Sequence, residues 1–147
     1  MKNINKVPYQ DYDIAITVGV FDCFHYGHDN LIEKMESLGK MNWIFLHNDD
    51  SVYQNKRKFP VQPLAQRMMN LYNFVDIITP IIDANPSEEL GLFAPMWDGK
   101  KVCYIRGDDW RDFPGKKTIE AMGIDIFYVP YTKGISSTEI RKKALCK

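Results

Sequence analysis

The chain has 147 residues, of which 45% are hydrophobic, and this size indicates one domain with its own core. Lys and Arg number 19 and Asp and Glu also number 19, so no overall positive field indicates a nucleic-acid-binding protein. The three cysteines lack metal-ligand spacing, and their odd number does not suggest a disulfide framework. No apolar stretch reaches membrane-spanning length, and residues 1–13 are too polar for a signal peptide. We therefore expect a cytoplasmic protein.

The first predicted element is a strand over residues 14–18, IAITV, whose β-branched and nearly unbroken apolar run suits a strand buried on both faces of a sheet. The string GVFDCFHYGH follows it directly at residues 19–28. Apolar residues then recur at helical spacing from Leu31 to Leu38 and stop at Gly39, which suits the position just after a helix end. The string therefore occupies a strand-to-helix corner.

This corner is a candidate phosphate site. The first N–H groups of a helix lack intrahelical partners, and the helix dipole favours an anion there. His25 and His28 would add two donors, while Gly19 and Gly27 would let a ligand approach the backbone closely. Two histidines three apart are also typical of an ordinary pair near a helix start, but the complete string between a strand and a helix favours the phosphate site.

The remaining elements alternate between strands and helices, without internal repeats. Strands are predicted at 41–47, 75–79, 101–106 and 124–129, and helices at 63–74, 88–93, 115–122 and from Ser136 or Ser137 onward. Residues 48–60 are predicted to form a polar and then basic loop. This alternation indicates an α/β fold, a single Rossmann-like doubly wound parallel sheet over residues 13–147 after an N-terminal extension at 1–12, with ligands beyond the carboxyl ends of the strands.

Three motifs resemble one known family. GVFDCFHYGH is similar to the GTFDxxHxGH signature of the nucleotidyltransferase superfamily that includes the cytidylyltransferases, and ISSTEIR at 135–141 is similar to its second signature. RGDDW at 106–110 resembles the GDDW of glycerol-3-phosphate cytidylyltransferases. The resemblance extends from about Asp13 to the end of the chain, and it implies transfer of CMP from CTP to a phosphorylated small alcohol or polyol, with release of pyrophosphate.

The same resemblance assigns roles to basic residues. Lys56, Lys58 and Arg67 reproduce the family's spacing of two lysines one residue apart before an arginine on the next helix. Taken alone, a basic triplet at residues 56–58 is more often a solvated loop. The resemblance implies that His25, His28, Lys58 and Arg67 are catalytic, because about six negative charges of the two substrates must be brought together. It also implies that Arg67 holds the acceptor phosphate in a bidentate fork. The implied nucleotide-binding residues of the first and central motifs are Gly19, Val20, Phe21, His25, His28, Lys56 and Gly107.

Aspartates are the implied acceptor-binding residues, together with Lys58 and Arg67. Asp22 either caps the following helix or lies near both substrates. Asp108 and Asp109 follow an apolar strand. One of them would bind the acceptor hydroxyls or Mg²⁺ and the other would cap the turn, and the sequence does not show which is which. Asp50 resembles another acceptor-side carboxylate, although Asp49 is an equally close neighbour.

The second signature adds a hydroxyl cluster before the last predicted helix. The nucleotide-binding residues it implies are Thr132, Ile135, Ser136, Ser137 and Thr138. Ser136 followed by Glu139 also fits an ordinary capping box, and both roles are compatible. The closest cytidylyltransferase pattern has arginine before the threonine, where this chain has Tyr131, so either Lys133 or Arg141 supplies the missing charge or the acceptor is different.

The predicted mechanism is direct in-line attack of the acceptor phosphate on the α-phosphorus, with Mg²⁺ or a similar divalent cation accompanying the triphosphate and metal ligands unknown. Residues 59–69, FPVQPLAQRMM, instead resemble sugar-phosphate adenylyltransferases that make ADP-heptose, so ATP with a sugar phosphate is the alternative substrate pair. A catalytically inactive nucleotide-binding regulator is the alternative of another class. By analogy with enzymes of this type we expect a homodimer, with CTP and a small phosphorylated acceptor as partners and neither nucleic acid nor membrane.

Overall fold

The computed structural model describes residues 10–130, which form a five-stranded, entirely parallel sheet with helices on both faces. The strands are β1 (Tyr12–Gly19), β2 (Gly39–His47), β3 (Ile77–Ile81), β4 (Val102–Gly107) and β5 (Asp125–Val129). The helices are α1 (Tyr26–Leu38), α2 (Asp49–Lys56), α3 (Leu64–Leu71), α4 (Ser87–Phe93) and α5 (Lys116–Ala121), and a short 3₁₀ turn covers Ala94–Trp97. Within this part of the chain no helix is both long and apolar enough to cross a membrane.

The strand order in the sheet is β3-β2-β1-β4-β5, and β1 lies at its centre. Ile16 of β1 is paired with Trp43 on β2 and with Tyr104 on β4. Because the chain first moves outward from β1 through β2 to β3 and then returns to β4 on the other side, the crossover direction reverses between β1 and β4. This arrangement confirms the predicted doubly wound α/β fold and creates the crevice at which ligands of such sheets bind.

Both faces of the sheet are covered by apolar cores. Ile14, Ile16 and Val18 of β1 face one core, whereas Ala15 between them faces the other. Successive side chains of a strand point to opposite faces, so a strand buried on both faces must be apolar at nearly every position. This requirement explains why the apolar run at residues 14–18 predicted β1 correctly.

Gly39 is needed for a reason other than the predicted one. It follows the end of helix α1, as predicted, but its φ of −112° and ψ of 139° are those of an extended strand. A Cβ atom added at Gly39 would lie 2.6 Å from both the backbone nitrogen and the Cβ of Ala15. The glycine therefore allows β2 to begin in close contact with β1.

The prediction of a continuous loop at residues 48–60 was wrong in its first half, because residues Asp49–Lys56 form helix α2. The Asn48 side chain caps this helix by accepting a hydrogen bond from the Ser51 N–H at 2.8 Å. Its sequence, DDSVYQNK, has only two apolar residues, so no apolar periodicity indicated a helix. The consequence is that Lys56 lies at the end of a helix.

Candidate active site

A cavity of about 490 Å³ lies at the carboxyl ends of β1, β2 and β4, where the crossover direction reverses. Its lining includes the following site residues predicted from the sequence: Gly19, Val20, Phe21, Asp22, His28, Lys56, Lys58, Gly107 and Asp109. These residues come from the ends of β1 and β4, from helices α1 and α2 and from the loops beside them, and the fold brings them to one place. The cavity is therefore the strongest candidate for a substrate site in the described part of the chain.

His25 and His28 begin helix α1 and hold one another in place. The Nδ1 atom of His25 accepts the Gly27 N–H at 3.0 Å, and the Nδ1 atom of His28 accepts the His25 N–H at 3.3 Å. The two rings stack with their centroids 3.8 Å apart. Because each Nδ1 is an acceptor, the neutral form of each ring carries its proton on Nε2. Both histidines are therefore fixed as Nε2–H donors.

Neither histidine needs a positive charge to donate. Burial lowers the pKa of His28 to about 3, and the nearby His25 and Lys56 act in the same direction. Burial also lowers the pKa of His25. Both rings are thus neutral near pH 7 in the free protein.

The turn that carries the signature is conformationally strained. Phe21 and Cys23 have φ values of 51° and 50°, in the left-handed region that residues other than glycine rarely occupy. The Phe21 ring lies against Gly19, where an added Cβ would be 2.8 Å from Phe21 Cε2. The glycine therefore makes room for this ring, rather than leaving open space for a ligand.

Asp22 is buried and joins the signature to the loop before helix α3. Its carboxylate accepts the Val61 N–H at 2.8 Å and the Gln62 N–H at 2.9 Å. Gln62 returns the contact, since its Oε1 atom accepts the Cys23 N–H at 3.2 Å. Asp22 thus does not cap α1, and it fixes the loop that follows Lys58 against the cavity.

Arg67 lies behind the cavity wall and not on it. Its side chain has 0% exposure. The guanidinium donates to the carbonyls of Gln62 at 3.0 Å, Val20 at 2.9 Å and His47 at 2.7 Å, and to Asp49 Oδ1 at 2.6 Å. Four of its five N–H donors are used in this way, so the guanidinium has no free fork for an acceptor phosphate. In this structure Arg67 is a positioning residue, which corrects the direct contact expected from the family spacing.

Asp50 is exposed in the first turn of α2 and does not line the cavity, so the structure does not place it with the other predicted acceptor residues. The neighbouring Asp49 makes the ion pair with Arg67. Sequence proximity to the end of β2 could not distinguish these two carboxylates.

The RGDDW motif forms the opposite side of the cavity. Gly107, Asp109 and Trp110 line it, whereas the Asp108 N–H donates to the Val129 carbonyl at 3.0 Å. A Cβ added at Gly107 would lie 2.9 Å from Asp109 Oδ1, so the glycine allows that carboxylate to fold back over the strand end. The geometry therefore favours Asp109 as the residue of this pair that faces a ligand.

The second signature lies outside the described residues. This applies to Thr132, Ile135, Ser136, Ser137 and Thr138, and equally to Tyr131, Lys133 and Arg141. Their predicted roles stay predictions.

Three titratable residues of the cavity were not predicted from the sequence. His47 and Tyr104 appeared only as parts of apolar strands, and Arg106 appeared only as the first letter of RGDDW. The Arg106 guanidinium lies over the Phe113 ring, 4.5 Å from its centroid, and its Nε donates to the Trp110 carbonyl at 3.1 Å. Their position at strand ends beside the crossover reversal was the one available signal.

A divalent cation would find few protein ligands here. Residues 10–130 contain no group of three His, Cys, Asp or Glu side chains arranged to hold a metal ion. Mg²⁺ in nucleotide sites typically uses one or two carboxylates together with phosphate oxygens and water. The Asp109 carboxylate in the cavity fits that smaller requirement, for a cation that arrives with the nucleotide.

A parallel α/β sheet with a basic cavity and a histidine-bearing helix start at its crossover reversal defines a nucleotide-binding enzyme fold. Residues 16–143 match the family model described as cytidylyltransferase-like, and the chain belongs to this family. It is a nucleotidyltransferase.

Two relatives of similar length support this assignment. Glycerol-3-phosphate cytidylyltransferase of Bacillus spizizenii is 28% identical over 128 residues, which is 87% of this chain and 94% of that protein. The enzyme of the same name from Bacillus subtilis is 25% identical over 138 residues, 88% of this chain and 95% of that protein. The bifunctional protein HldE of Cronobacter sakazakii is 29% identical over 135 residues, and the match covers only 27% of its length.

Solved structures share the fold. The lipopolysaccharide core biosynthesis protein of Thermoplasma volcanium superposes with a TM-score of 0.62 at 20% identity, covering 84% of this chain and 99% of that one. A bifunctional NMN adenylyltransferase/ADP ribose pyrophosphatase of Francisella tularensis also gives 0.62 at 20% identity, over 90% of this chain and 41% of that one.

Proposed function

We propose that this protein is a CTP-dependent cytidylyltransferase that transfers CMP to a phosphorylated small alcohol or polyol. The observation that carries the proposal is that His28, Lys56 and Lys58 reach one cavity from three segments, with Gly107 and Asp109 on the opposite side. The similarity to two glycerol-3-phosphate cytidylyltransferases over most of their length supports both the nucleotide and the class of acceptor.

The reaction needs no nucleophile from the protein, because the acceptor phosphate is itself the nucleophile. One of its oxygens attacks the α-phosphorus of CTP in line, the bond from that phosphorus to the bridging oxygen breaks, and pyrophosphate leaves with the electron pair. Catalysis is then positioning and charge stabilisation. His28 and His25 donate their Nε2 protons in hydrogen bonds to phosphate oxygens, and the hydroxyls at 136–138 bind the triphosphate.

Lys56 and Lys58 neutralise the remaining charge. Both are exposed at the cavity edge, Lys56 at the end of α2 and Lys58 in the loop after it. A lysine ammonium on a flexible stem can follow negative charge as it moves from the α-phosphate toward the leaving group. Arg67 acts on the same site indirectly, since it connects the Val20 and His47 carbonyls with Asp49.

Asp109 would supply a carboxylate ligand to a divalent cation that accompanies the triphosphate. When bound, Mg²⁺ screens the phosphate charges and withdraws electron density from the oxygens that it contacts. We also propose a cytoplasmic location and a homodimeric assembly, as for other enzymes of this type.

A second candidate reaction is transfer of AMP from ATP to a sugar phosphate. It is favoured by residues 59–69, which resemble sugar-phosphate adenylyltransferases. The first part of this segment is the loop that Asp22 holds against the cavity through the Val61 and Gln62 amides, so its sequence bears on the substrate site.

One assay separates these reactions. The protein is incubated with Mg²⁺, each nucleoside triphosphate in turn and a panel that includes glycerol 3-phosphate, other phosphorylated alcohols and sugar phosphates, and pyrophosphate is measured. Release with CTP and a phosphorylated alcohol supports the proposal, and release with ATP and a sugar phosphate supports the second candidate. Nucleotide binding without release from any pair would indicate a regulator and overturn both.

A further inference from the structure

His47, the third histidine of the chain, is the last residue of β2 and lines the cavity beside Lys56 and Lys58. None of the roles described above uses its side chain, since Arg67 binds only its backbone carbonyl. The ring is partly buried, and its position at the end of β2 places it on the wall of the cavity. It is therefore a candidate for contact with one of the two substrates.

The hydrogen bonds around His47 determine which ring nitrogen carries the proton. His47 Nδ1 lies 3.1 Å from Ser51 Oγ, and the Ser51 hydroxyl donates to the Asn48 carbonyl at 3.0 Å. A carbonyl has no proton to give, and a serine hydroxyl has one proton only. Both contacts are satisfied only if His47 Nδ1 donates to Ser51, which leaves Nε2 as a bare acceptor nitrogen.

This tautomer is the opposite of the one that His25 and His28 adopt. Those two rings offer N–H groups, which suit phosphate oxygens, whereas His47 offers a lone pair, which phosphate oxygens avoid. The ring also stays neutral, because burial together with Arg67 and Lys56 lowers its pKa to about 4. The cavity thus combines donors for phosphate with an acceptor for a different group.

A hydroxyl group is the partner that fits. A phosphorylated alcohol or sugar bound with its phosphate beside Lys58 carries hydroxyl groups on the carbons next to the phosphorylated one, and these would lie at the side of the cavity where β2 ends. We propose that His47 Nε2 accepts a hydrogen bond from a hydroxyl group of the phosphorylated acceptor and so makes the enzyme selective for hydroxylated acceptors. This inference rests on the proposed function and deepens it.

The first test uses two substitutions of equal length that differ in one respect. His47→Gln places an amide oxygen near the position of Nε2, while His47→Met fills the same space without a strong acceptor. Each variant is assayed with the acceptor that gives turnover in the wild type and with analogues that each lack one hydroxyl. For glycerol 3-phosphate the fully deoxygenated analogue is propyl phosphate.

In the wild type we expect one missing hydroxyl to lower kcat/KM by about 5- to 30-fold. His47→Gln should retain much of this preference, and His47→Met should remove it, with the KM for the nucleotide changed less than about twofold in both. Equal discrimination by the Met variant and the wild type, or a rise in nucleotide KM instead, would overturn the inference while the proposed function stood. A wild type without pyrophosphate release from any pair would overturn both.

A second measurement needs no substitution, and it tests the contact between His47 and the acceptor even if the Met variant does not fold. Imidazole ¹⁵N shifts distinguish a protonated ring nitrogen from a bare one. We expect His47 in the Nδ1–H form, His25 and His28 in the Nε2–H form, and a shift of His47 Nε2 when the acceptor is added. A protonated His47 Nε2, or a Nε2 signal that the acceptor does not move, would contradict the proposal.

Discussion

Arg67 Nη2 donates to Asp49 Oδ1 at 2.6 Å, which joins helix α3 to helix α2 behind the cavity. The arginine is fully buried, and it also binds three backbone carbonyls from three different segments. Arg67, which the family spacing predicted to hold the acceptor phosphate, therefore stabilises the segments that form the site.

Arg67→Met should consequently lower the stability of the fold. Removing the guanidinium leaves three carbonyls and a carboxylate without their partner, which we expect to cost about 3–5 kcal/mol in the free energy of unfolding. Urea unfolding measures this. A variant as stable as the wild type but with a raised acceptor KM would restore the direct phosphate contact predicted from the sequence.

Lys58→Ala should reduce turnover much more than nucleotide affinity, because the lysine compensates charge that develops only during transfer. Arg57→Ala is a matched control, since Arg57 lies between the two lysines, is exposed and does not line the cavity. Steady-state kinetics and nucleotide binding measure the two effects. Unchanged turnover in Lys58→Ala, or an equal loss in Arg57→Ala, would remove the proposed role.

Substitutions of His25 and His28 should separate their effects on stability from their effects on turnover. His25→Asn keeps a good helix cap, so stability should change by less than about 1 kcal/mol while turnover falls. His28→Ala removes the ring that lines the cavity and should lower kcat by about 100- to 1,000-fold. Thermal unfolding and kcat distinguish the effects, and a His28→Ala enzyme of nearly normal kcat would exclude the phosphate contact.

The histidines also predict how stability depends on pH. Burial lowers the folded-state pKa to about 3 for His28 and about 4 for His47, against 6.5 when unfolded. Between these values the unfolded chain binds more protons, so stability is fully present above about pH 6.5 and is lost as pH falls toward 4, by up to about 1.4 kcal/mol per pH unit for each ring. Urea unfolding at several pH values measures this dependence. The unfolding free energy of His47→Gln should change less steeply with pH than that of the wild type, and an unchanged pH dependence would contradict the prediction.

Two glycines should respond in opposite ways to alanine. At Gly39 a Cβ meets the backbone of Ala15 at 2.6 Å, so Gly39→Ala should destabilise the protein by about 1–3 kcal/mol. At Gly91 in α4 a Cβ meets nothing within 4 Å, so Gly91→Ala should stabilise by up to about 1 kcal/mol. Equal effects of the two substitutions in urea unfolding would show that contact with β1 is not why Gly39 is required.

The sequence predicted the sheet well because a central parallel strand must be apolar on both faces, as residues 14–18 are. It did not predict α2, whose stability comes from the Asn48 cap and not from an apolar stripe. The spacing of Lys58 and Arg67 placed both near the site, but spacing along the chain does not reveal which way a guanidinium faces. His47 was missed because its proposed role depends on the hydroxyl of Ser51, one helical turn further on, and that contact exists only after folding.

The most direct test of the proposed reaction follows the atoms that it moves. Wild-type protein is incubated with CTP, Mg²⁺ and glycerol 3-phosphate whose phosphate oxygens carry ¹⁸O, and the mixture is examined by ³¹P NMR and mass spectrometry. We expect a CDP-linked alcohol and pyrophosphate in equal amounts, with ¹⁸O in the new bridging position. Formation of CMP or CDP without the linked product would contradict cytidylyl transfer. It would also be contradicted if CTP stayed intact while ATP, supplied with a sugar phosphate, gave an adenylylated sugar phosphate.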